Sequence, residues 1–290
     1  MSFSTELKEE LSKIENLPNK DAVKFELIGY LISSNVSEFK NKIKYKTENE
    51  YNINRFSKLL SNLGIENFNI SLKGKLFIIT LNKKEIENIK FDFKELSQDE
   101  QKWLIRGAYM GAGSINNPEK KYHLELGIRK KEYADDVHAI LEKLDVKSSM
   151  IIKRNEYAIY IKDGEEISKF LALISANRSV IKFEEIRVQR YMNNKINRIV
   201  NCETANMNKT INASIEQIEA IRRLKKSNKF KTLDEPLKEI AEIRLKNPNA
   251  SLIEIGKMLK EPIGKSGVNY RLKKLVELGK EEETKCKIKK

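Results

Sequence analysis

Residues Leu104–Ile115 read LIRGAYMGAGSI. The stretch combines apolar side chains with three glycines and two alanines, and Gly107 and Gly111 are four residues apart. Positions i and i+4 of a helix lie on the same face. A face of small residues lets a second backbone approach closely. The stretch therefore predicts a buried helix that packs against another helix through its backbone.

This segment resembles the signature helix of the LAGLIDADG homing endonucleases, in which a small-residue helix ends in an acid followed by glycine. In that family the acid holds the divalent metal that cuts DNA. With Gly107 as the family's first glycine and Gly113 as its last, Ala112 takes the position of the acid. Alanine has no oxygen to offer a metal. The resemblance therefore implies a DNA-cleaving fold that has lost its cleaving group.

The first 180 residues contain the same order of elements twice. The first copy reads helix, strand, helix, hairpin and closing helix at Asp21–Ser34, Lys42–Lys46, Arg55–Leu63, Phe68–Leu72 with Leu76–Leu81, and Lys83–Ile89. The second copy reads the same at Asp99–Ala112, Tyr122–Ile128, Glu132–Leu144, Met150–Ile152 with Tyr157–Ile161, and Glu165–Ser175. The offset is 78 residues between the helix glycines, Gly29 and Gly107, and 81 between the hairpin tips, Gly74 and Asn155. We therefore predict two αββαββα lobes.

In LAGLIDADG proteins the two signature helices pack side by side between the lobes. The residues predicted at this contact are Gly29, Ser33, Ser34, Gly107, Gly111 and Ala112. The acid position of the first copy falls on Ser34, so neither copy supplies a carboxylate. Because hydrolysis by this fold needs a metal held by those acids, the sequence predicts no catalytic residue, no metal site and no cofactor. A metal-dependent endonuclease is the least favoured hypothesis.

Charge and composition limit the kinds of binding partner that the sequence favours. The 290 residues carry a net charge of +14, and residues 205–290 hold 21 Lys and Arg against 12 Asp and Glu. Clustered positive charge favours a polyanionic partner, although a solvated lysine-rich surface is the alternative. The apolar runs are far shorter than the ~18 residues of a membrane span. We expect a cytoplasmic, nucleoid-associated protein with nucleic acid rather than a membrane as its partner.

The C-terminal third predicts a helix-turn-helix. Helices are expected at Asp234–Lys246, from Ser251, and from Ser266 to about Gly279. The last helix has an apolar stripe that includes Val268 and Leu272, and its outward residues suit a recognition helix in the major groove. The predicted DNA-binding residues are Lys265, Ser266, Asn269, Tyr270, Arg271, Lys273 and Lys274. A plain three-helix bundle with a basic face is the competing interpretation.

Residues Val180–Thr210 are polar, basic and rich in asparagine, with only partial helical periodicity. The segment fits either a solvated connecting helix or a surface that follows phosphates. Its candidate phosphate contacts are Arg187, Arg190, Lys195 and Arg198. The predicted domains are two LAGLIDADG-like lobes (1–92 and 93–180), a basic helical connector (181–230) and a helix-turn-helix domain (231–290, motif about 251–279). The fold class is α+β lobes followed by an all-α domain.

Four segments carry a more specific resemblance: MSFSTELKEEL, WLIRGAYMGAGSINNPEKKYHLE, RYMNNKINRIVNCETANMNKT and SLIEIGKMLKEPIGKSGVNYRLKKL. They resemble the WhiA family of bacterial regulators along nearly the whole chain. That family joins a degenerate LAGLIDADG-like domain to a C-terminal helix-turn-helix. The resemblance implies transcriptional control linked to cell division and chromosome segregation, or to sporulation in some relatives. The chain departs from its relatives at Ser34-Asn35, where they often have a more glycine-like ending.

The leading hypothesis is a non-enzymatic regulator that binds double-stranded DNA, with other regulatory proteins as a further class of partner. The second hypothesis is a sensing scaffold whose lobes bind a small molecule or a protein. The Gly-rich stretch Gly107–Ser114 lacks the GK[ST] of a phosphate-binding loop, so it predicts no nucleotide site. The sequence does not determine the oligomeric state, the DNA target or the sign of regulation.

Overall fold

The computed structural model describes residues 2–15, 18–89, 92–153 and 156–288, with side chains up to residue 282. The chain divides into two compact units, Met1–Met192 and Asn193–Lys290. The first unit mixes helices and sheets, and the second is all helical. Each unit has its own cluster of buried apolar side chains. The predicted fold class, α+β lobes followed by an all-α domain, is confirmed.

The first lobe follows a short N-terminal helix, α1 (Phe3–Ser12). It consists of α2 (Lys20–Ile32), β1 (Val36–Phe39), β2 (Lys42–Thr47), α3 (Glu50–Asn62), β3 (Phe68–Lys73) and β4 (Leu76–Asn82). Asn19 is the N-terminal cap of α2, because its side chain accepts hydrogen bonds from the amides of Asp21 and Ala22. Gly74 turns the β3–β4 hairpin at a φ of +63°, a conformation that glycine adopts without strain.

The second lobe repeats this order. It consists of α4 (Gln98–Ala112), β5 (Gly113–Ile115), β6 (Leu124–Ile128), α5 (Lys131–Lys143), β7 (Ser149–Lys153), β8 (Glu156–Ile161) and α6 (Gly164–Leu173). The strand orders, β1-β2-β4-β3 and β5-β6-β8-β7, are equivalent, and all the pairs are antiparallel. Ser97 and Glu100 form a capping box at the start of α4. The shared topology supports the duplication that the spacing predicted.

Three details of the lobes differ from the sequence prediction. The closing helix expected at Lys83–Ile89 is a single 3-10 turn, Lys83–Ile86, so the described part of the first lobe contains no helix equivalent to α6. Strand β6 begins at Leu124 rather than at residue 122. The first strand of each lobe, β1 and β5, was missed because three or four residues are too few to show an alternating pattern. The predicted hairpin tip Arg154-Asn155 lies outside the described residues.

A single helix, α7 (Asn177–Lys226), runs for 50 residues where the sequence showed only partial periodicity. Its side chains from 191 to 213 are exposed on every side. A helix that is solvated on every side needs no broad apolar face. The partial pattern in this stretch is therefore compatible with one continuous helix and does not mark a break in it.

The second unit places three helices against the C-terminal end of α7. They are α8 (Glu235–Lys246), α9 (Leu252–Met258) and α10 (Lys265–Ile288). Ser251 and Glu254 form a capping box at the start of α9. Two predictions for the last helix were wrong. It begins at Lys265 rather than at Ser266, and the Gly264 carbonyl accepts hydrogen bonds from the amides of Gly267 and Val268. It also continues past Gly279, because residues 280–288 contain no glycine or proline to end it.

Candidate nucleic-acid interface

Helices α2 and α4 touch through their backbones at the predicted glycines. A Cβ built on Gly29 would lie 2.2 Å from the Leu104 carbonyl oxygen, and one on Gly111 would lie 2.6 Å from Ser33 Oγ. Real Cβ atoms do not come this close to other heavy atoms, so only glycine fits at these positions. Ser33 is fully buried and donates its hydroxyl to the Tyr30 carbonyl at 2.7 Å. The structure therefore brings these small residues together between the lobes.

Ser34 lies two residues beyond the end of α2, and Ala112 is the last residue of α4. Both border Gly127 of β6, where a Cβ would be 2.3 Å from Ser34 Oγ and 3.5 Å from the Ala112 Cβ. The Ser34 amide also donates to the Gly127 carbonyl at 2.9 Å. Neither residue carries a carboxylate. Within the described ranges, no group of three or more His, Cys, Asp or Glu residues could hold a metal ion.

Side chains of the first lobe donate hydrogen bonds to the carbonyl groups at the C-terminal end of α4. Asn52 Nδ2 donates to the Met110 carbonyl at 2.6 Å, and Asn35 Nδ2 donates to the Gly111 carbonyl at 2.8 Å. The last carbonyls of a helix have no partner within the helix. The two lobes are therefore held together by hydrogen bonds as well as by the close contact of the helices.

A buried ionic cluster, which the sequence analysis missed, also joins the lobes. Glu26 of α2 is fully buried and accepts two hydrogen bonds from Arg55 of α3, at 2.7 and 2.9 Å. Arg106 of α4 reaches the same carboxylate at 3.2 Å. Burial by itself would lower the pKa of Arg55. The hydrogen bonds and the negative charge of Glu26 outweigh burial, so the pKa of Arg55 is raised. Burial lowers the pKa of Arg106, and Glu26 offsets only part of that change.

The accessible surface of α10, on its outward face and its flanks, carries the predicted DNA-binding residues. Val268, Leu272 and Leu275 are fully buried and anchor the helix to the second unit. On the other side, Tyr270 is 69% exposed and Asn269 is half-buried. Of the remaining candidates, the following are exposed or half-buried: Lys265, Ser266, Arg271, Lys273 and Lys274. The structure therefore places all seven on accessible surface of one helix.

The turn before α10 is tightly packed against α9. A Cβ built on Gly256 of α9 would lie 2.3 Å from the Ile263 carbonyl oxygen. On α8, the buried Arg244 donates Nη1 to the Ala250 carbonyl at 2.7 Å, which ties α8 to the start of α9. These contacts fix the angle at which α10 leaves the turn. A rigid frame is what a helix needs if it is to present side chains to a groove.

The four candidate phosphate contacts on α7 fall into two groups. Arg187 forms a salt bridge with Glu184 at 2.6 Å. Arg190 donates a hydrogen bond to the Pro118 carbonyl at 2.6 Å, and its guanidinium lies 4.3 Å from the centre of the Tyr122 ring. These two arginines are therefore engaged within the first unit. Lys195 and Arg198 are exposed. Of the four, they are the residues whose charge faces solvent, and their role as phosphate contacts stays a prediction.

The open face of the first sheet is a second basic surface that the sequence analysis missed. Lys42, Lys44 and Lys46 alternate along β2 with the buried Ile43 and Tyr45, so all three lysines point away from the core. Their partners across the sheet on this face are Ser37, Phe39, Ile78, Thr80 and Asn82. No carboxylate stands among these paired positions. The sequence signal was the alternation in Lys-Ile-Lys-Tyr-Lys at residues 42–46.

The corresponding face of the second sheet has a different charge pattern. Glu125 of β6 accepts a hydrogen bond from Lys153 Nζ at 2.5 Å and lies 3.3 Å from His123 Nε2. Burial by itself would raise the pKa of Glu125, but its bonds to Lys153 and His123 outweigh burial and lower it. The charges on this face neutralise one another locally. The basic surface of the lobes therefore belongs to the first sheet.

Comparison with known proteins gives matches over nearly all of the chain. The family profile described as the WhiA LAGLIDADG-like domain matches residues 101–193, and that of the WhiA C-terminal HTH domain matches residues 196–279. The "Probable cell division protein WhiA" of Clostridium tetani is 37% identical over 97% of this chain and 98% of that protein. The protein of the same name from Clostridium acetobutylicum is 34% identical over the same shares.

Solved structures agree with these matches. The crystal structure of full-length DUF199/WhiA from Thermatoga maritima aligns with a TM-score of 0.63 and 27% identity, over 97% of this chain and 99% of that one. The N-terminal LAGLIDADG domain of DUF199/WhiA aligns with a TM-score of 0.52 over 60% of this chain and 92% of that one. At 23% identity, the second match supports the fold alone.

The fold and the site together define a LAGLIDADG-like protein whose paired helices end without acids and which carries a C-terminal helix-turn-helix domain. The chain belongs to the WhiA family. In the part of the chain that the structure describes, no helix is both long and apolar enough to cross a membrane.

Proposed function

We propose that this protein is a DNA-binding transcriptional regulator whose reading element is α10. The observation that carries the proposal is the division of that helix into two faces. Val268 and Leu272 are fully buried, whereas Tyr270, Lys273 and Lys274 are exposed. A second helix after a tight turn places its N-terminal residues against base edges in the major groove. Asn and Arg side chains read purine edges, and lysines also contact phosphates.

We further propose that the lobes assist binding and do not cut DNA. The open face of the first sheet offers Lys42, Lys44 and Lys46 on consecutive outward positions of β2, which suits contact with a phosphate backbone. Ser34 and Ala112 supply no carboxylate where a LAGLIDADG nuclease holds its metal. The lobes then act as a binding surface that adds affinity without sequence information.

The biological role follows from the named relatives. Full-length relatives at 34–37% identity are called probable cell division proteins. We extend that role to this chain, as a regulator of genes for cell division and chromosome segregation that resides with the nucleoid. Genome-wide mapping of its bound DNA tests this role, because the bound sites would then cluster upstream of division genes.

The biochemical experiment uses the full chain and a fluorescein-labelled DNA duplex, with anisotropy measured from 50 to 300 mM salt. The Lys273→Ala/Lys274→Ala variant should bind more weakly and lower the slope of log K against log salt by about 0.9 for each lost phosphate contact. Lys238→Ala on α8 removes a lysine that is paired with Glu235 and serves as the matched control. An unchanged slope in the double variant would count against α10 as the reading element.

A further inference from the structure

Helix α7 carries an exposed apolar face within the second unit. Ile196 is 54% exposed, Val200 is 51% exposed and Met207 is 58% exposed. At about 100° per residue, these residues and Ile211 fall on one side of the helix. Ile199 and Ile215 flank them at the edges of the same side. A strip of aliphatic side chains on a solvated helix marks an interaction surface.

The opposite side of α7 is polar. Lys195, Arg198 and Lys209 all lie there and are exposed. Seven asparagines occur between residues 193 and 212, and asparagine is a poor helix former. Helices in proteins are stabilised mainly by packing of their apolar face rather than by propensity. This part of α7 therefore gains stability when its apolar face is covered.

The same side of α7 is already covered a few turns further on. Ile221 and Leu224 are fully buried in the core that α7 forms with α8, α9 and α10. The part of α7 that packs against these helices begins at Ser214, whose hydroxyl donates a hydrogen bond to the Pro248 carbonyl at 2.6 Å. Beyond this point lies a cavity of about 330 Å³, lined by Met207, Ile211, Ile215, Ile218 and Pro248 among others. The exposed face thus leads into a preformed apolar pocket.

The charge on this face indicates what covers it. Between residues 193 and 218, Glu203 is the one charged side chain on the apolar side, and it stands midway between Ile196 and Ile211. A second copy of the chain, packed antiparallel so that aliphatic residues meet, would bring two Glu203 carboxylates together. Like charges at an interface disfavour that pairing. A complementary occupant carries a cation opposite Glu203.

We propose that this face of α7, from Ile196 to Ile215 and including the pocket at Pro248, docks an amphipathic helix of a different protein. That helix carries aliphatic residues at i, i+3 or i+4 and i+7, with a lysine or arginine at the centre of its apolar stripe. Binding of an apolar helix face in a hydrophobic groove is a common mode of recognition between proteins. The surface lies apart from the exposed face of α10, so it adds a protein partner to the proposed DNA binding.

The test uses two labelled 18-residue amphipathic peptides with leucine at the heptad core positions. They differ only in a central core residue, which is lysine in one and glutamate in the other. Fluorescence anisotropy with the full chain should show at least 10-fold tighter binding of the lysine peptide. Glu203→Lys should invert this preference, because the cation then lies on α7. Lys209→Glu, on the opposite side of the helix, should leave the preference for the lysine peptide in place.

The Met207→Asp/Ile211→Asp variant should lose both peptides, and because both residues are exposed its thermal unfolding should match that of the parent. Equal affinity for the two peptides, no binding of the lysine peptide, or no inversion by Glu203→Lys would overturn the proposal. Sedimentation of the unmodified chain at neutral pH as a dimer that Met207→Asp dissociates would overturn it in favour of a second copy.

Discussion

Gly107 of α4 lies against the backbone of Glu26 in α2, so closely that a Cβ on Gly107 would be 1.9 Å from the Glu26 carbonyl oxygen. This contact fixes how the two lobes meet, because backbone atoms on both helices define it and no side chain can relax to relieve it. The Glu26 side chain, on the same residue, holds the buried arginines of both lobes. One position of α2 therefore serves both the packing and the electrostatics of the lobe interface.

Replacing Gly107 with alanine should destabilise the first unit. The added methyl group forces α2 and α4 apart, and such overpacking costs about 3 kcal/mol when the backbone has to move. Urea unfolding followed by circular dichroism measures the loss. Gly264→Ala is the control, because a Cβ at that glycine meets no atom within 4 Å. If the two variants had equal unfolding midpoints, the close contact of the helices would not hold in solution.

Replacing Glu26 with glutamine should leave Arg55 and Arg106 buried without their counter-ion. Breaking a buried ion pair by removing one partner costs about 3–5 kcal/mol. Adding Arg106→Met should recover part of this loss, since it removes one of the two buried positive charges that face residue 26. Glu9→Gln removes an acid from a surface pair with Lys13 and should change unfolding much less. A Glu26→Gln protein as stable as the parent would show that the cluster is not essential to the interface.

The stability of the first unit should depend on pH through Lys8. Burial lowers the pKa of Lys8 from 10.5 to about 8. Between these two values the unfolded chain holds the lysine proton more often than the folded chain does, so the free energy of unfolding rises with pH across that window. At pH 7 the folded protein bears the cost of a partly desolvated ammonium, because Lys8 is half-buried. Lys8→Met should therefore be more stable than the parent at pH 7, by about 1–2 kcal/mol.

That advantage should shrink as the pH rises from 8 toward 10.5, because the parent then loses the same charge. Thermal unfolding of both proteins at pH 7, 8.5 and 10 gives the comparison. Lys102→Met, which changes a surface lysine near Asp99, controls for the loss of a positive charge. A constant difference between Lys8→Met and the parent at all three pH values would contradict the shifted pKa.

Removing Lys42, Lys44 and Lys46 together should weaken DNA binding and flatten its salt dependence. Each phosphate contact contributes about 0.9 to the slope of log K against log salt, so loss of all three lowers the slope by up to about 2.7. The side chains point away from the core, so the triple alanine variant should unfold like the parent. Anisotropy with the duplex used for α10 provides the measurement. An unchanged slope would assign DNA binding to the second unit alone.

Most of the fold could be predicted from short patterns in the sequence. The capping boxes at Ser97 and Ser251 and the alternation along β2 mark their elements locally. The strands β1 and β5 could not be predicted, because they exist through pairing with longer neighbours rather than through their own residues. The 3-10 turn that closes the first lobe was also missed, since Lys83–Ile86 gives no local signal that a helix stops after one turn.

The sequence by itself determined that the glycines of α2 and α4 must face a close neighbour, that Ser34 and Ala112 offer no carboxylate, and that α10 has a buried and a polar face. These properties follow from residue type and spacing along one chain. Only the tertiary structure decided that Glu26, Arg55 and Arg106 meet, that Arg190 is engaged by Pro118 and Tyr122, and that the apolar face of α7 is uncovered. Each of these depends on contacts between residues distant in sequence, or on their absence, which no local pattern records.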